Sequence, residues 1–230
     1  MPNPTAVVTG ASRGIGRAIA LRLASDYLIV AVARSRAELD SLAAEIREAG
    51  GHCIPLALDL TDGPAVARAL AGIDADVVVN NAGVGIIKPL LETTPDEWHR
   101  QVDVNFNALY HVTRGLLPGM VARRRGHVVI IGSISGRSTF AGGAAYTGTK
   151  HAVMAFAECL LLEVRDEGVK VSVVSPGGVA TGFGVIDPAA KRWALKPEDV
   201  AEAVAQVLST PPNVLVHRVE IRALSKQAKR

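Results

Sequence analysis

Tyr146 and Lys150 stand four residues apart in "AAYTGTK", and Ser133 precedes the tyrosine by thirteen. On a helix, positions i and i+4 share a face, with Cβ atoms about 5–6 Å apart. A free phenol titrates near pH 10, roughly three units too high to exchange protons readily at neutrality. A lysine cation one turn away stabilises the phenolate and lowers that value. Its three donors suffice to face the phenol and hold a sugar hydroxyl as well. A serine hydroxyl nearby donates to an oxygen on which negative charge develops. A Tyr-x3-Lys pair alone is commonly a helix-surface neighbourhood, so the surrounding elements decide.

Those elements alternate. Short apolar runs, "TAVVTG", "YLIVAVA", "HCIPLAL", "ADVVVNN", "GHVVIIG", "VKVSVVS" and "NVLVHRVEI", are separated by stretches of helical periodicity. This predicts one α/β domain over 1–230, a doubly wound parallel sheet of seven strands with helices on both faces. Val and Ile dominate the runs, as in strands covered on both sides. Ser35 with Glu38 reads as a capping box, Gly50 ends that helix, and Thr94, Pro95 and Glu97 start another. Pro197 begins the last helix. The helix after Tyr146, "HAVMAFAECLLLEV", is apolar on nearly every face and must bury more than one side. It predicts a homo-oligomer, a dimer or tetramer.

Between the first strand and first helix, "VVTGASRGIG" places Gly10, Gly14 and Gly16 in a G-x3-G-x-G spacing. Glycines there let the backbone turn sharply and approach a pyrophosphate, whose charge the helix N-terminus favours. At the end of the second strand, an NAD site usually offers a carboxylate to the ribose 2′-hydroxyl. Here Arg34 and Ser35 occupy that end, Arg13 approaches from the glycine turn, and no acid occurs before Glu38. Guanidinium groups match a 2′-phosphate through bidentate hydrogen bonds, which predicts NADP(H) over NAD(H).

Composition narrows the class. Of 230 residues, 49% are hydrophobic, 20% charged and 4% aromatic, with a net charge of +3, which suits a globular α/β protein. Outside Arg123–Arg125 and the tail from Lys226 to Arg230 the basic residues are dispersed, so no nucleic-acid footprint is expected. Arg123–Arg125 read as cations complementing a helix C-terminus. The two cysteines, Cys53 and Cys159, have apolar neighbours and no metal-ligand spacing. No secretory signal or membrane-spanning run is visible. A cytoplasmic protein is expected, with no metal.

With "TGASRGIG", "NNAG" at 80–83, Ser133 and "YTGTK" in order, the chain resembles the short-chain dehydrogenase/reductase family over nearly its whole length. Within that family it looks like the NADPH-using carbonyl reductases, including those that reduce 3-oxoacyl groups on acyl carrier protein. The resemblance implies that Ser133, Tyr146, Lys150 and Asn105 are catalytic, Asn105 supporting a water-mediated proton relay. It implies that Asp59 and Leu60 hold the adenine, and that Asn81, Ala82 and Gly83 line the cofactor. Ser12 and Ile15 join the glycine turn, while Pro176, Gly177, Val179 and Thr181 contact the nicotinamide end, together with Tyr146 and Lys150. The implied partner is a small carbonyl or alcohol substrate. A non-catalytic NADP-binding sensor or scaffold, or an epimerase or dehydratase on the same site, is the alternative.

Two features depart from the longer family members. "LASDYLIV" lacks the glycine often found before the second strand. The family's substrate lid falls on a short segment here, 182–196, in which Phe183, Val185, Ile186 and Trp193 offer an apolar wall, joined by Phe140. His111 and His151 read as helix residues without catalytic duty.

Overall fold

The computed structural model describes residues 3–183 and 193–224. Seven parallel strands form one sheet in the order β3-β2-β1-β4-β5-β6-β7. They are β1 (Thr5–Thr9), β2 (Leu28–Ala33), β3 (His52–Ala57), β4 (Val77–Asn80), β5 (Gly126–Ile131), β6 (Val169–Pro176) and β7 (Arg218–Ile221). The chain starts at β1, winds outward to β3, then crosses back to β4 on the other side of β1. Ligands in such sheets bind at that reversal, outside the carboxyl ends of the strands.

Seven α-helices accompany the sheet among the described residues: α1 (Gly14–Leu23), α2 (Arg36–Glu48), α3 (Gly63–Leu70), α4 (Pro95–Val102), α5 (Ala108–Ala122), α6 (Ala144–Val164) and α7 (Pro197–Leu208). They divide into two layers because strand side chains alternate between faces. Ala6 and Val8 of β1 join Ile19, Leu42 and Val204 from α1, α2 and α7. Val7 of the same strand joins Val66, Leu116 and Ala157 from α3, α5 and α6. Each fully buried Val, Ile or Leu contributes about 1.5–3 kcal/mol of transfer free energy, so both layers hold the strand ends in place.

Coverage of both faces is confined to the centre. Every residue of β4 and β5 is buried, whereas β3 alternates exposed and half-buried positions, and β7 does the same. These two are the sheet edges, which no helix covers fully. The final strand is also shorter than "NVLVHRVEI" implies, since only Arg218–Ile221 pairs with β6. Cys53, on edge strand β3, is half-buried, and Cys159 is exposed rather than packed among apolar side chains.

Local signals set the helix ends. Thr94 and Glu97 form the reciprocal box at α4, with Pro95 in the first turn. At α2 only half of the expected box forms: Ser35 Oγ accepts from the Glu38 amide at 3.4 Å. Gly50 follows α2 at φ +84°, a conformation that glycine adopts without strain. Arg123, Arg124 and Arg125 do more than face a helix end, because each pairs with an acid: Asp74, Glu167 and Asp76.

Between α4 and α5 the helix widens into one π turn, Asp103–Asn107. Along α6, Val153, Met154, Ala157, Leu160 and Val164 are buried, while Leu162 stays 66% exposed. Among the described residues no helix is long and apolar enough to cross a membrane, and no group of three or more His, Cys, Asp or Glu side chains could hold a metal ion.

Candidate active site

The carboxyl ends of β1 to β6 open into one cleft of about 1520 Å³. The glycine turn forms one end. Gly10 and Gly14 take φ of +64° and +57°, which few other residues tolerate. Gly16 is needed for a different reason, since a Cβ there would lie 2.3 Å from the Gly10 carbonyl oxygen and 2.5 Å from Asn81 Nδ2. It packs beneath the turn and does not face the cleft.

Helix α1 has no side-chain cap and no acid in its first turn, whereas Ser35, Asp62 and Thr94 cap α2, α3 and α4. Its open N-terminus, with Ser12, Arg13, Gly14 and Ile15, forms the cleft wall. Unpaired helix N–H groups and a positive dipole end suit an anion. Arg13 and Arg34 are both exposed, and Ser35 lies beside Arg34 in the wall. Glu38 also reaches this wall, one turn into α2. These groups fit a dinucleotide phosphate better than a purely structural βα turn.

Asp59, Leu60 and Thr61 continue the wall beyond β3. The Asp59 carboxylate accepts from the Thr61 amide at 3.0 Å and hydroxyl at 2.8 Å. Those two bonds outweigh the opposing cost of burial and, with a lesser contribution from the charge of Arg34, hold its pKa below the ordinary value. Asn81, Ala82 and Gly83 lie across the switch point. Asn81 Nδ2 donates to the Thr9 carbonyl at 2.9 Å. Thr9 Oγ1 in turn accepts from the amides of Asn81 and Ala82 and donates to the Val79 carbonyl. Sequence reading missed Thr9, because threonine at a strand end looks like ordinary β propensity.

At the far end, Ser133, Tyr146 and Lys150 come together in the same cleft with Pro176, Gly177, Val179 and Thr181. Ser133 follows β5 and its Oγ accepts from the Ser135 amide at 3.1 Å. Tyr146 and Lys150 lie in the first two turns of α6. Lys150 is 6% exposed and donates to the Ile131 carbonyl at 3.0 Å, which anchors it to the end of β5. Burial lowers its pKa to about 8.

The expected lowering of the tyrosine is not what this protein chain alone produces. Burial raises the Tyr146 pKa above its ordinary value, and the nearby Ser133 side chain only partly opposes that. Desolvation disfavours the phenolate more than the surrounding protein groups favour it.

Asn105 sits in the π turn, buried and outside the large cleft. Its side chain brackets Val84, accepting from the amide at 2.7 Å and donating to the carbonyl at 2.9 Å, and it reaches Thr149. With Thr9, Asn80 and Lys150 it bounds a second, internal cavity of about 10 Å³. Gln101, also missed in the sequence, is fully buried and accepts from the Ile86 amide at 3.0 Å. His111 and His151 bond backbone carbonyls, of Leu60 and Thr147, as helix residues do. Of the apolar lid wall, Phe183 and Phe140 line the cleft. Trp193 packs within 3.3 Å of a Cβ built on Gly178. Val185, Ile186, most of segment 182–196 and the basic tail Lys226–Arg230 lie outside the described residues.

A family profile of short chain dehydrogenases matches residues 4–188. The chain belongs to the short-chain dehydrogenase family. Among relatives, the NADP-dependent 3-hydroxy acid dehydrogenase YdfG of Salmonella typhi is 33% identical, with 96% of this chain and 95% of that protein covered. A metagenomic short-chain oxidoreductase solved in complex with NADP is 36% identical, covers 96% of each chain, and superposes with a TM-score of 0.86. An alcohol dehydrogenase from the archaeon Thermococcus sibiricus, complexed with 5-hydroxy-NADP, is 32% identical over 99% of each chain, with a TM-score of 0.90. This short-chain dehydrogenase is therefore an oxidoreductase on a Rossmann-type sheet, and its cleft occupies the position where that sheet binds ligands.

Proposed function

We propose that this dehydrogenase uses NADP(H), in preference to NAD(H), to interconvert a carbonyl compound and its secondary alcohol, with Tyr146 as general acid and base. One observation carries the reading: Ser133, Tyr146 and Lys150 share a single cleft with the uncapped N-terminus of α1 and with Arg13 and Arg34. A sensor or scaffold needs only the second half of that cleft.

Ser12, Arg13, Gly14 and Ile15 hold the diphosphate, Arg13, Arg34 and Ser35 the 2′-phosphate, Asp59 and Leu60 the adenine. Asn81, Ala82, Gly83, Pro176, Gly177, Val179 and Thr181 line the path to the nicotinamide. When bound, the cofactor supplies the hydride for reduction and accepts it in the reverse direction. In reduction, Tyr146 gives its proton to the carbonyl oxygen as the carbon is reduced, while Ser133 donates a hydrogen bond to the same oxygen. Lys150, still largely protonated at neutral pH with a pKa of about 8, stabilises the phenolate left behind. The cavity between Asn105 and Lys150, about 10 Å³, lies at the lower limit for one water molecule and supports a relay that returns the proton.

The test is NADPH and NADH oxidation across a panel of ketones and aldehydes, with NADP⁺ and NAD⁺ reduction across the matching alcohols. Turnover with NADPH favoured over NADH is the expected result. Equal efficiency with both cofactors overturns the 2′-phosphate assignment, and binding without turnover overturns the enzymatic one. We also infer a homo-oligomer in a cytoplasmic setting, supported by Leu162 exposed on α6 and by two free thiols. Light scattering that returns the mass of one chain would overturn the oligomer.

A further inference from the structure

One contact at the substrate end of the cleft is not used by the proton chemistry. Phe183, just beyond Gly182, lays its ring beside Tyr146, with centroids 5.7 Å apart and planes inclined by 60°. The ring also meets Gly85, in the segment after β4. A Cβ built on Gly85 would lie 2.4 Å from Phe183 Cε1 and 2.9 Å from Cζ. Carbon atoms rest about 3.5–4.0 Å apart, so the ring and a side chain at 85 exclude each other. The backbone at Gly85 does not itself demand glycine, since its φ is not among the positive values. What a Cβ at 85 would displace is the Phe183 ring, the far end of a side chain.

Phe183 nevertheless remains 39% exposed, Phe140 44% and Ile87 41%, and all three line the cleft that holds Tyr146. Three large apolar side chains thus keep surface open in the cleft of the reacting phenol. An apolar group laid on them gains transfer free energy, whereas a charged one sheds water there at a cost.

We propose that Phe183, seated by Gly85, determines substrate selectivity, and that the accepted carbonyl compound carries an apolar aryl or alkyl substituent lying along that ring. The proposal rests on Tyr146 being the proton donor. The wall beside the phenol is therefore built from two distant segments, each shaped to the other. Enlarging residue 85 displaces the ring from Tyr146 and acts as a partial deletion of Phe183.

The experiment compares wild type, Phe183→Ala, Phe183→Leu, Gly85→Ala and the double variant Gly85→Ala/Phe183→Ala. It measures kcat/KM for NADPH oxidation with acetophenone, 2-octanone and acetoacetate, and NADPH dissociation constants by fluorescence titration as a check on the fold. Wild type is expected to favour the two apolar ketones. Phe183→Ala is expected to lower the apolar-to-acetoacetate ratio about tenfold or more, chiefly through KM, which is the scale of one lost pocket contact. Phe183→Leu should recover most of the ratio. Gly85→Ala should reproduce the loss, and the double variant should be no worse than Phe183→Ala alone, because both remove one contact. An unchanged ratio in Phe183→Ala, or losses that multiply in the double variant, overturns the proposal while leaving the Tyr146 reading intact. Failure of the wild type to oxidise NADPH with any ketone counts against both.

Discussion

At the β1–β3 end of the cleft Arg13 and Arg34 extend into solvent, while at the β5–β6 end Lys150 and Ser133 are 6% and 8% exposed. Both ends handle charge, under opposite solvation. In the proposed reading the first binds with guanidinium groups and open helix amides that water already satisfies, so an incoming phosphate displaces solvent at modest cost. The second holds a cation stripped of water and tied to one carbonyl, and a phenol whose ionisation burial resists. Exposed charge sets affinity and is screened by salt; buried charge sets reactivity and is screened far less. Under the proposed function this difference separates recognition from chemistry within one cavity, and variants are expected to break either half without the other.

The largest effect belongs to the buried end. Tyr146→Phe removes the proposed proton donor and is expected to lower kcat by about 10²–10⁴-fold in a stopped-flow or steady-state assay, while NADPH still binds. Retained turnover would end the catalytic assignment.

Next is the linkage of Lys150 to stability in the cofactor-free protein. Its folded pKa is about 8, below the ordinary 10.5, so between those values the unfolded chain holds more protons. Stability therefore rises with pH from about 8, and below that the buried cation costs on the order of 3 kcal/mol. The raised pKa of Tyr146 works in the opposite sense above about 10, which confines the rise to roughly pH 8–10. Lys170, also lowered by burial, adds to the slope, so the difference between wild type and Lys150→Met isolates one contribution. Urea denaturation at several pH values measures it, and an identical slope in the two proteins would contradict the buried-cation account.

The smallest effect is at the exposed end. Arg34→Ala is expected to weaken NADPH about tenfold and NADH hardly at all, as a charge-assisted bond to phosphate is worth about 1.5–3 kcal/mol. The loss should shrink as salt is raised from 50 to 500 mM, because the Debye length falls to a few ångströms. Loss of NADPH binding at a salt-independent ratio would place Arg34 in a desolvated setting instead.

The same contrast governs what was legible in the sequence. The strand runs, the glycine turn and the helix carrying Tyr146 and Lys150 follow from local signals, because a period of two or of 3.6 and a positive-φ glycine each leave a trace in neighbouring residues. The place of Arg34 and Ser35 on the cleft wall follows the same logic, since a strand end fixes which residues reach the switch point. Depth of burial was not. The spacing of Tyr146 and Lys150 gives a shared face but not how much water remains, so the rise that burial imposes on the Tyr146 pKa in the protein alone was not readable. Thr9, Gln101 and the pairing of Gly85 with Phe183 join segments separated by 15 residues or more, as with Gln101 and Ile86. Such contacts depend on the assembled sheet and leave no periodic mark.

The π turn at Asp103–Asn107 has a further consequence for insertions and deletions. A π turn amounts to one residue more than the α-helix on either side requires. Removing a single residue there would let α4 and α5 join as one continuous helix with both flanks still in phase, because a π turn takes up its extra residue within one turn. The contacts of Gln101 with Ile86, Glu97 with Lys88, His111 with Leu60 and Arg123 with Asp74 would then survive the deletion. The reach of Asn105 to Val84 and Thr149 would not, since that side chain sits on the widened turn. Chain length at this point therefore governs the placement of one side chain rather than the packing of the two helices.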